Sequence, residues 1–232
     1  AGMAAGLHAA VAGATENDVA AAITSAMFRA GGEFPAVMPY VASGPRSMIG
    51  HSTWEGRMIR PGEHVFLEVG GCYRRYHTAM MRTVVNGALS SSMRSAQELM
   101  KETLAELREL MKPGVTVSEV AHLTRSRIES NDVGAQLVTR AGYSIGIAFP
   151  PSWDEGYIVS LLEGDERPLE QGMTFHLLPW MWGVDGTKTV GISDTVHITE
   201  DGCASFFTLP EDFTVHESSV RSIPHAAVAP RF

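Results

Sequence analysis

The chain has 232 residues, enough for one large domain with a substantial buried core, and its 44% hydrophobic and 19% charged content excludes disorder and fibrous repeats. Eighteen Lys and Arg against 26 Asp and Glu leave a net charge of -8, which repels polyphosphate and argues against nucleic acid as a partner. Two cysteines, Cys72 and Cys203, are too few for a disulfide framework, and no apolar run reaches the roughly 20 residues that span a bilayer, so a cytoplasmic protein with no membrane attachment is expected.

In chain order, residues 1–12 are Ala-rich and read as a helix already under way, from which further sequence upstream is expected. Glu16 to Arg29 is a second helix, opened by the capping pattern Thr15-Glu16-Asn17-Asp18 and stopped by Gly31-Gly32. Phe34 to Ser43 is short, apolar and broken by prolines, as an irregular edge strand is, and it ends at the turn Gly44-Pro45. Past a second turn, Arg60-Pro61-Gly62-Glu63, the β-type runs His64 to Gly70 and Tyr73 to Asn86 make a long hairpin. From Ser90 the order starts again. A helix runs to about Met111, Lys112-Pro113-Gly114 turns, and a helix covers Ser118 to about Ser130; strands follow at Gly142 to Phe149, Met173 to Trp182 and Thr189 to Thr199. Two helices followed by strands, given twice, predict a pseudo-symmetric α+β unit of helices on a curved, mainly antiparallel sheet. Residues 1–209 are read as that domain, and residues 210–232, which have no period, as a tail that wraps it or meets a partner.

Four stretches carry chemistry in a fixed order. His51 follows Met48-Ile49-Gly50, and the hairpin ends in Tyr76-His77-Thr78-Ala79-Met80-Met81-Arg82-Thr83. Then come Gly142-Tyr143-Ser144-Ile145-Gly146 and Gly172-Met173-Thr174-Phe175-His176-Leu177-Leu178-Pro179. Together, as far as about residue 205, they resemble the pita-bread superfamily that contains creatinase, ectoine hydrolase, Xaa-Pro peptidases and methionine aminopeptidase. The resemblance implies the pita-bread fold and a hydrolase. It also implies five ligand positions for a pair of metal ions, which in this chain are Glu68, Ala79, Tyr143, Leu178 and Ser193. Ala and Leu offer no donor atom, so neither a metal nor any other cofactor is expected, and creatinase shows that the family supports metal-free hydrolysis. The phrases Glu68-Val69-Gly70-Gly71-Cys72-Tyr73, Arg82-Thr83 and Arg140 to Pro151 are most similar to the ectoine hydrolase branch. The resemblance further implies a separate N-terminal domain and a homodimer in which one subunit's small domain helps close its partner's site.

Side chains alternate along a strand, so His77, two before Ala79, and His176, two before Leu178, are expected to face the former metal site. With His51, Glu68 and the Tyr143 phenol they would supply acid and base groups tunable toward neutral pH. Glu68 is expected to attack, or to direct water at, an amidine or amide carbon while His51 protonates the leaving nitrogen. His176, His77 and Tyr143 would donate to the developing charge. The substrate class this points to is a small cyclic amidine such as ectoine, with Phe34, Phe149, Trp153 and Trp180 as candidate walls and Asp194 as a further binding residue. Outside the family pattern, Glu68 would read as a structural acid paired with Arg82 or Arg74, and His77 and His176 as ordinary core histidines. Two rival functions are a peptidase with metal on His51, Glu68, His77 and His176, and a binding scaffold with an emptied site.

Overall fold

The computed structural model describes residues 1–137 and 139–217. Helix α1 (Gly2–Ala9) precedes α2 (Glu16–Arg29), which starts where the sequence places a cap. Thr15 Oγ1 accepts from the Asp18 amide at 3.2 Å, and the Asp18 carboxylate accepts from the Thr15 amide at 2.8 Å, so two of the helix's unpaired donors are satisfied. Of the predicted run from Phe34, only β1 (Tyr40–Ser43) is a strand. Pro35 and Pro39 have no amide to give a ladder, and the chain before Tyr40 is irregular. A 3-10 turn, Gly44–Met48, leads to the hairpin of β2 (His64–Tyr73) and β3 (Tyr76–Asn86). Helices α3 (Ser91–Leu110) and α4 (Val117–Glu129) follow, the second opened by a capping box between Thr116 and Glu119.

The second half is more broken than the sequence predicts. After β4 (Gly142–Phe149), β5 (Ser152–Asp154) and β6 (Ser160–Leu161), the expected strand Met173 to Trp182 divides into β7 (Thr174–Leu177) and β8 (Trp180–Val184) at Leu178-Pro179. The expected strand Thr189 to Thr199 divides likewise into β9 (Lys188–Gly191) and β10 (Asp194–Ile198). The chain is thereby free to leave the main sheet for the separate two-stranded ribbon β8–β9. β11 (Cys203–Ser205) then pairs with β10, and β12 (Thr214–His216) pairs in parallel with β3. That last strand lies in the segment whose sequence shows no period. Its neighbour Phe213 is buried, and the His216 ring nitrogen Nε2 lies 2.8 Å from the Leu7 carbonyl oxygen. The remainder of the predicted tail, 218–232, lies outside the described residues.

The main sheet runs β1-β2-β3-β4-β7-β10-β11. Alternation along its strands sorts the core into layers. Val65, Leu67 and Val69 of β2, with Met80 and Val84 of β3, pack against α1 and α2. Phe175 and Leu177 of β7 join the core built on α3 and α4. Phe66, Ala79, Met81, Tyr143, Ile145, Trp153 and Trp180 form a third cluster on the opposite face. The two half-sheets meet through the strand pair Tyr76 with Ile147, through the backbone bonds from the Ala148 amide to the Arg75 carbonyl at 3.1 Å and from the Ser193 amide to the Met81 carbonyl at 3.2 Å, and through side-chain hydroxyls. The amides of Ala79 and Met81 donate to Thr195 Oγ1 at 3.0 Å and to Ser193 Oγ at 2.6 Å, and Thr83 Oγ1 accepts from the Gly191 amide at 3.0 Å. This seam of hydroxyls lies directly behind the third cluster.

Candidate active site

Glu68 sits midway along β2, paired with Tyr40 on one side and Met81 on the other, and faces away from the helices. Its carboxylate is buried, yet neither oxygen has a hydrogen-bond partner among the described residues. An ionised carboxylate taken from water needs a cation or donors. The group that approaches is His51, whose Nε2 lies 3.4 Å from Glu68 Oε2. His51 comes from the loop after the 3-10 turn with φ at 56°, in the left-handed region where few non-glycine residues lie. Buried Glu16 holds that loop in place: it accepts from the Ser43 amide and hydroxyl at 2.8 and 2.7 Å, from the Glu55 amide at 3.2 Å, and from the Arg46 guanidinium. The Glu68 carboxylate, first by direct contact and then through its charge, holds the His51 pKa above the ordinary 6.5, against the burial that lowers it. The His51 ring lies 4.8 Å from that of Tyr40 and 5.3 Å from that of Trp180.

Behind this pair stands a row of neutral groups. The Trp153 indole donates to the Tyr143 hydroxyl oxygen at 3.0 Å, and His176 Nδ1 lies 2.8 Å from the same oxygen. His176 Nε2 lies 2.7 Å from Ser193 Oγ. Burial drives the His176 pKa down to about 3, with the charges of His51 and Arg140 adding to the effect, so the ring is neutral. Burial, and then the Glu68 charge, raise the Tyr143 pKa well above 10, so the phenol keeps its proton.

Between the two groups opens a cavity of about 270 Å³. His51, Glu68, Tyr40, Tyr143, Trp153 and Trp180 line it, and Arg140 and Asp154 stand at its edge as an ion pair. The Arg140 guanidinium also lies 4.6 Å above the Tyr143 ring and donates to Ser160 Oγ at 2.7 Å. A larger cleft of about 830 Å³ opens beside α1 and the hairpin, but no histidine lines it. Glycine makes room for the cavity wall at one position: a Cβ on Gly70 would lie 2.6 Å from the Trp153 ring.

The structure therefore brings together His51, Glu68, Tyr143, Trp153 and Trp180. His176 stands one layer back, in contact with Tyr143 and outside the cavity lining. Four predicted residues are elsewhere. His77 lies further along β3, where Nε2 accepts from the Ala36 amide at 3.0 Å and Nδ1 meets the Arg75 carbonyl oxygen at 3.0 Å; both nitrogens are used by backbone. Two residues along a strand is about 7 Å, enough to carry a side chain on the same face out of a small cavity. Phe34 and Phe149 are 58% and 59% exposed and clasp the Arg75 guanidinium, 4.3 and 4.5 Å from their ring centres. Asp194 points away from Ser193, its neighbour on an extended chain, and accepts from Arg108 at 2.8 Å and from Ser205 Oγ at 2.6 Å. The sequence reading misses Tyr40, Arg140 and Asp154 as site residues. Arg140 does stand in a quoted phrase, two residues before Gly142.

Residues 1–200 match metallopeptidase family M24. The chain belongs to that family. It is 35% identical over 187 residues to an ectoine hydrolase of Halomonas elongata, covering 80% of this chain and 45% of the relative. It is 30% identical over 190 residues to an Xaa-Pro dipeptidase of Pyrococcus furiosus, covering 82% and 53%. Among solved structures it superposes on dipeptidase PepE of Mycobacterium ulcerans with a TM-score of 0.82 at 26% identity, over 93% of this chain and 56% of that one. The chain thus spans about half the length of its M24 relatives. Its residues do not fit the M24 metal pair. Ala79 and Leu178 are buried and apolar, and the Tyr143 and Ser193 hydroxyls are taken up by His176 and by amide or indole donors. Among the described residues no three His, Cys, Asp or Glu groups converge as a metal site. Nor is any helix among them long and apolar enough to cross a membrane.

Proposed function

We propose that this chain carries the catalytic site of a metal-independent hydrolase of C–N bonds, acting on a small cyclic amidine in the manner of an ectoine hydrolase. One observation carries the reading: a buried carboxylate without hydrogen-bond partners among the described residues, touched by a histidine of raised pKa, faces a small aromatic cavity. An amidinium ion supplies the positive N–H group that Glu68 lacks, and Trp153, Trp180 and Tyr40 offer flat faces to its ring. Glu68 attacks the amidine carbon or directs water at it, and His51 gives its proton to the nitrogen as the C–N bond breaks. The similarity to the Halomonas elongata ectoine hydrolase supports the choice of substrate. A cytoplasmic homodimer is part of the same proposal.

The peptidase alternative draws on the Pyrococcus furiosus relative, but its ligand set needs His77 and His176, whose nitrogens are engaged elsewhere. The test is turnover by the full-length protein of ectoine, hydroxyectoine, creatine and Xaa-Pro dipeptides, each with and without chelator. Ectoine ring opening indifferent to chelator is the expected result. Chelator-sensitive cleavage of an Xaa-Pro dipeptide, with ectoine untouched, overturns the proposal.

A further inference from the structure

The row Trp153, Tyr143, His176, Ser193 contains a proton count that settles its direction. Ser193 Oγ already accepts the Met81 amide at 2.6 Å, and Tyr143 already accepts the Trp153 indole at 3.0 Å. His176, neutral in its buried position, has one N–H to give, and it can give it to either side. Were the proton on Nε2, it would go to Ser193 Oγ and the tyrosine would donate to Nδ1. The Ser193 hydroxyl hydrogen would then have no acceptor, since Ser193 is fully buried and its oxygen has no other partner among the described residues. With the proton on Nδ1, Ser193 donates to Nε2 and His176 donates to the tyrosine oxygen. Every buried donor is then used, and the one hydrogen left over is that of the Tyr143 hydroxyl, on a residue that lines the cavity. Burying an unpaired donor is the costlier choice, so the second arrangement wins.

We propose that Ser193 is a positioning residue that fixes His176 as the Nδ1–H tautomer and so turns the Tyr143 hydroxyl proton into the cavity, toward the substrate atom that gains electron density as the carbon is attacked. This rests on the hydrolase reading above and deepens it. The cavity then presents the Glu68 carboxylate as acceptor and the Tyr143 hydroxyl as donor to the same small molecule. An amidinium matches both: one nitrogen offers its N–H to Glu68, and as the carbon is attacked the C=N electron pair moves onto the other nitrogen, whose new lone pair accepts from Tyr143.

The test uses the full-length protein labelled with ¹⁵N-histidine, in which the imidazole nitrogen shifts report which atom carries the proton. The expected spectrum has His176 protonated at Nδ1 in the wild type and in Ser193→Thr, with Nε2 at the shift of a nitrogen that accepts a hydrogen bond; in Ser193→Ala the proton stays on Nδ1 and the Nε2 shift moves to that of an acceptor without a donor. In turnover, Tyr143→Phe loses about 100-fold in kcat, Ser193→Ala loses at least about tenfold with KM little changed, and Ser193→Thr recovers most of the rate. A wild-type His176 protonated at Nε2 overturns the proposal, as does an Nε2 shift that Ser193→Ala leaves unchanged, since Ser193 then does not donate to the ring. The wild-type spectrum alone decides if the alanine variant fails to fold. It also stands if no substrate of the amidine class is turned over, so failure of the hydrolase reading is told apart from failure of this one.

Discussion

The front and back of the cavity are built from the same residue type and behave in opposite ways. In front, the half-exposed His51 touches a carboxylate, and its pKa moves up from 6.5. At the back, fully buried His176 has the Tyr143 and Ser193 hydroxyls as its hydrogen-bond partners among the described residues, and its pKa falls to about 3. A nearby negative charge favours the imidazolium ion, and burial among neutral partners forbids it. Environment therefore sets the two rings apart, with a histidine drawn toward its charged form in front and one held neutral behind.

The comparison breaks most visibly at its charged end. Glu68→Gln in the full-length protein is expected to lower ectoine turnover by about 10³-fold or more while the far-ultraviolet circular dichroism stays unchanged; rates within tenfold of wild type would place the chemistry elsewhere. Next comes acid stability. His176 and His64, which burial lowers to about 4, both have folded pKa values below their ordinary 6.5. Their contribution is complete above pH 6.5 and is lost as the pH falls toward those values, by up to about 3 kcal/mol for His64 and about 5 kcal/mol for His176. Urea unfolding followed from pH 7 to 4.5 should show the loss, and His64→Gln should flatten the curve. Smaller again is Gly70→Ala, whose new methyl meets the Trp153 ring at 2.6 Å; a loss of about 1–3 kcal/mol in thermal unfolding is expected. The finest test is the His51 titration itself, which NMR should find above 6.5 in the wild type and closer to 6.5 in Glu68→Gln.

Much of this was open to inspection in the chain itself, and the gaps have physical causes. Glu68, His51 and Tyr143 are found from their places in an ordered set of short stretches, and the start of α2 from Thr15 and Asp18. Alternation places His176 on the correct face, opposite Phe175 and Leu177. The same rule applied to His77 fails because it gives the face and not the distance along the strand. Ignored at Asp194, it would have given the answer: next to an inward Ser193, that carboxylate points outward to Arg108. Phe34 and Phe149 have the composition of a cavity wall, but an aromatic ring does not advertise its direction, and a guanidinium claims both. Tyr40 enters the site only through its register with Glu68, which no local pattern encodes. The breaks at Leu178-Pro179 and Ile192-Ser193 were hidden because apolar runs on either side read as continuous strands.

The hydroxyl seam between the half-sheets has one more consequence. The amides of Ala79 and Met81 are held by the rotating side chains of Thr195 and Ser193, where a regular ladder would hold them with fixed carbonyls. Turning one such rotor frees an amide without parting two strands, so deuterium uptake at these two sites reports local breathing of the cavity wall, well before the chain as a whole unfolds.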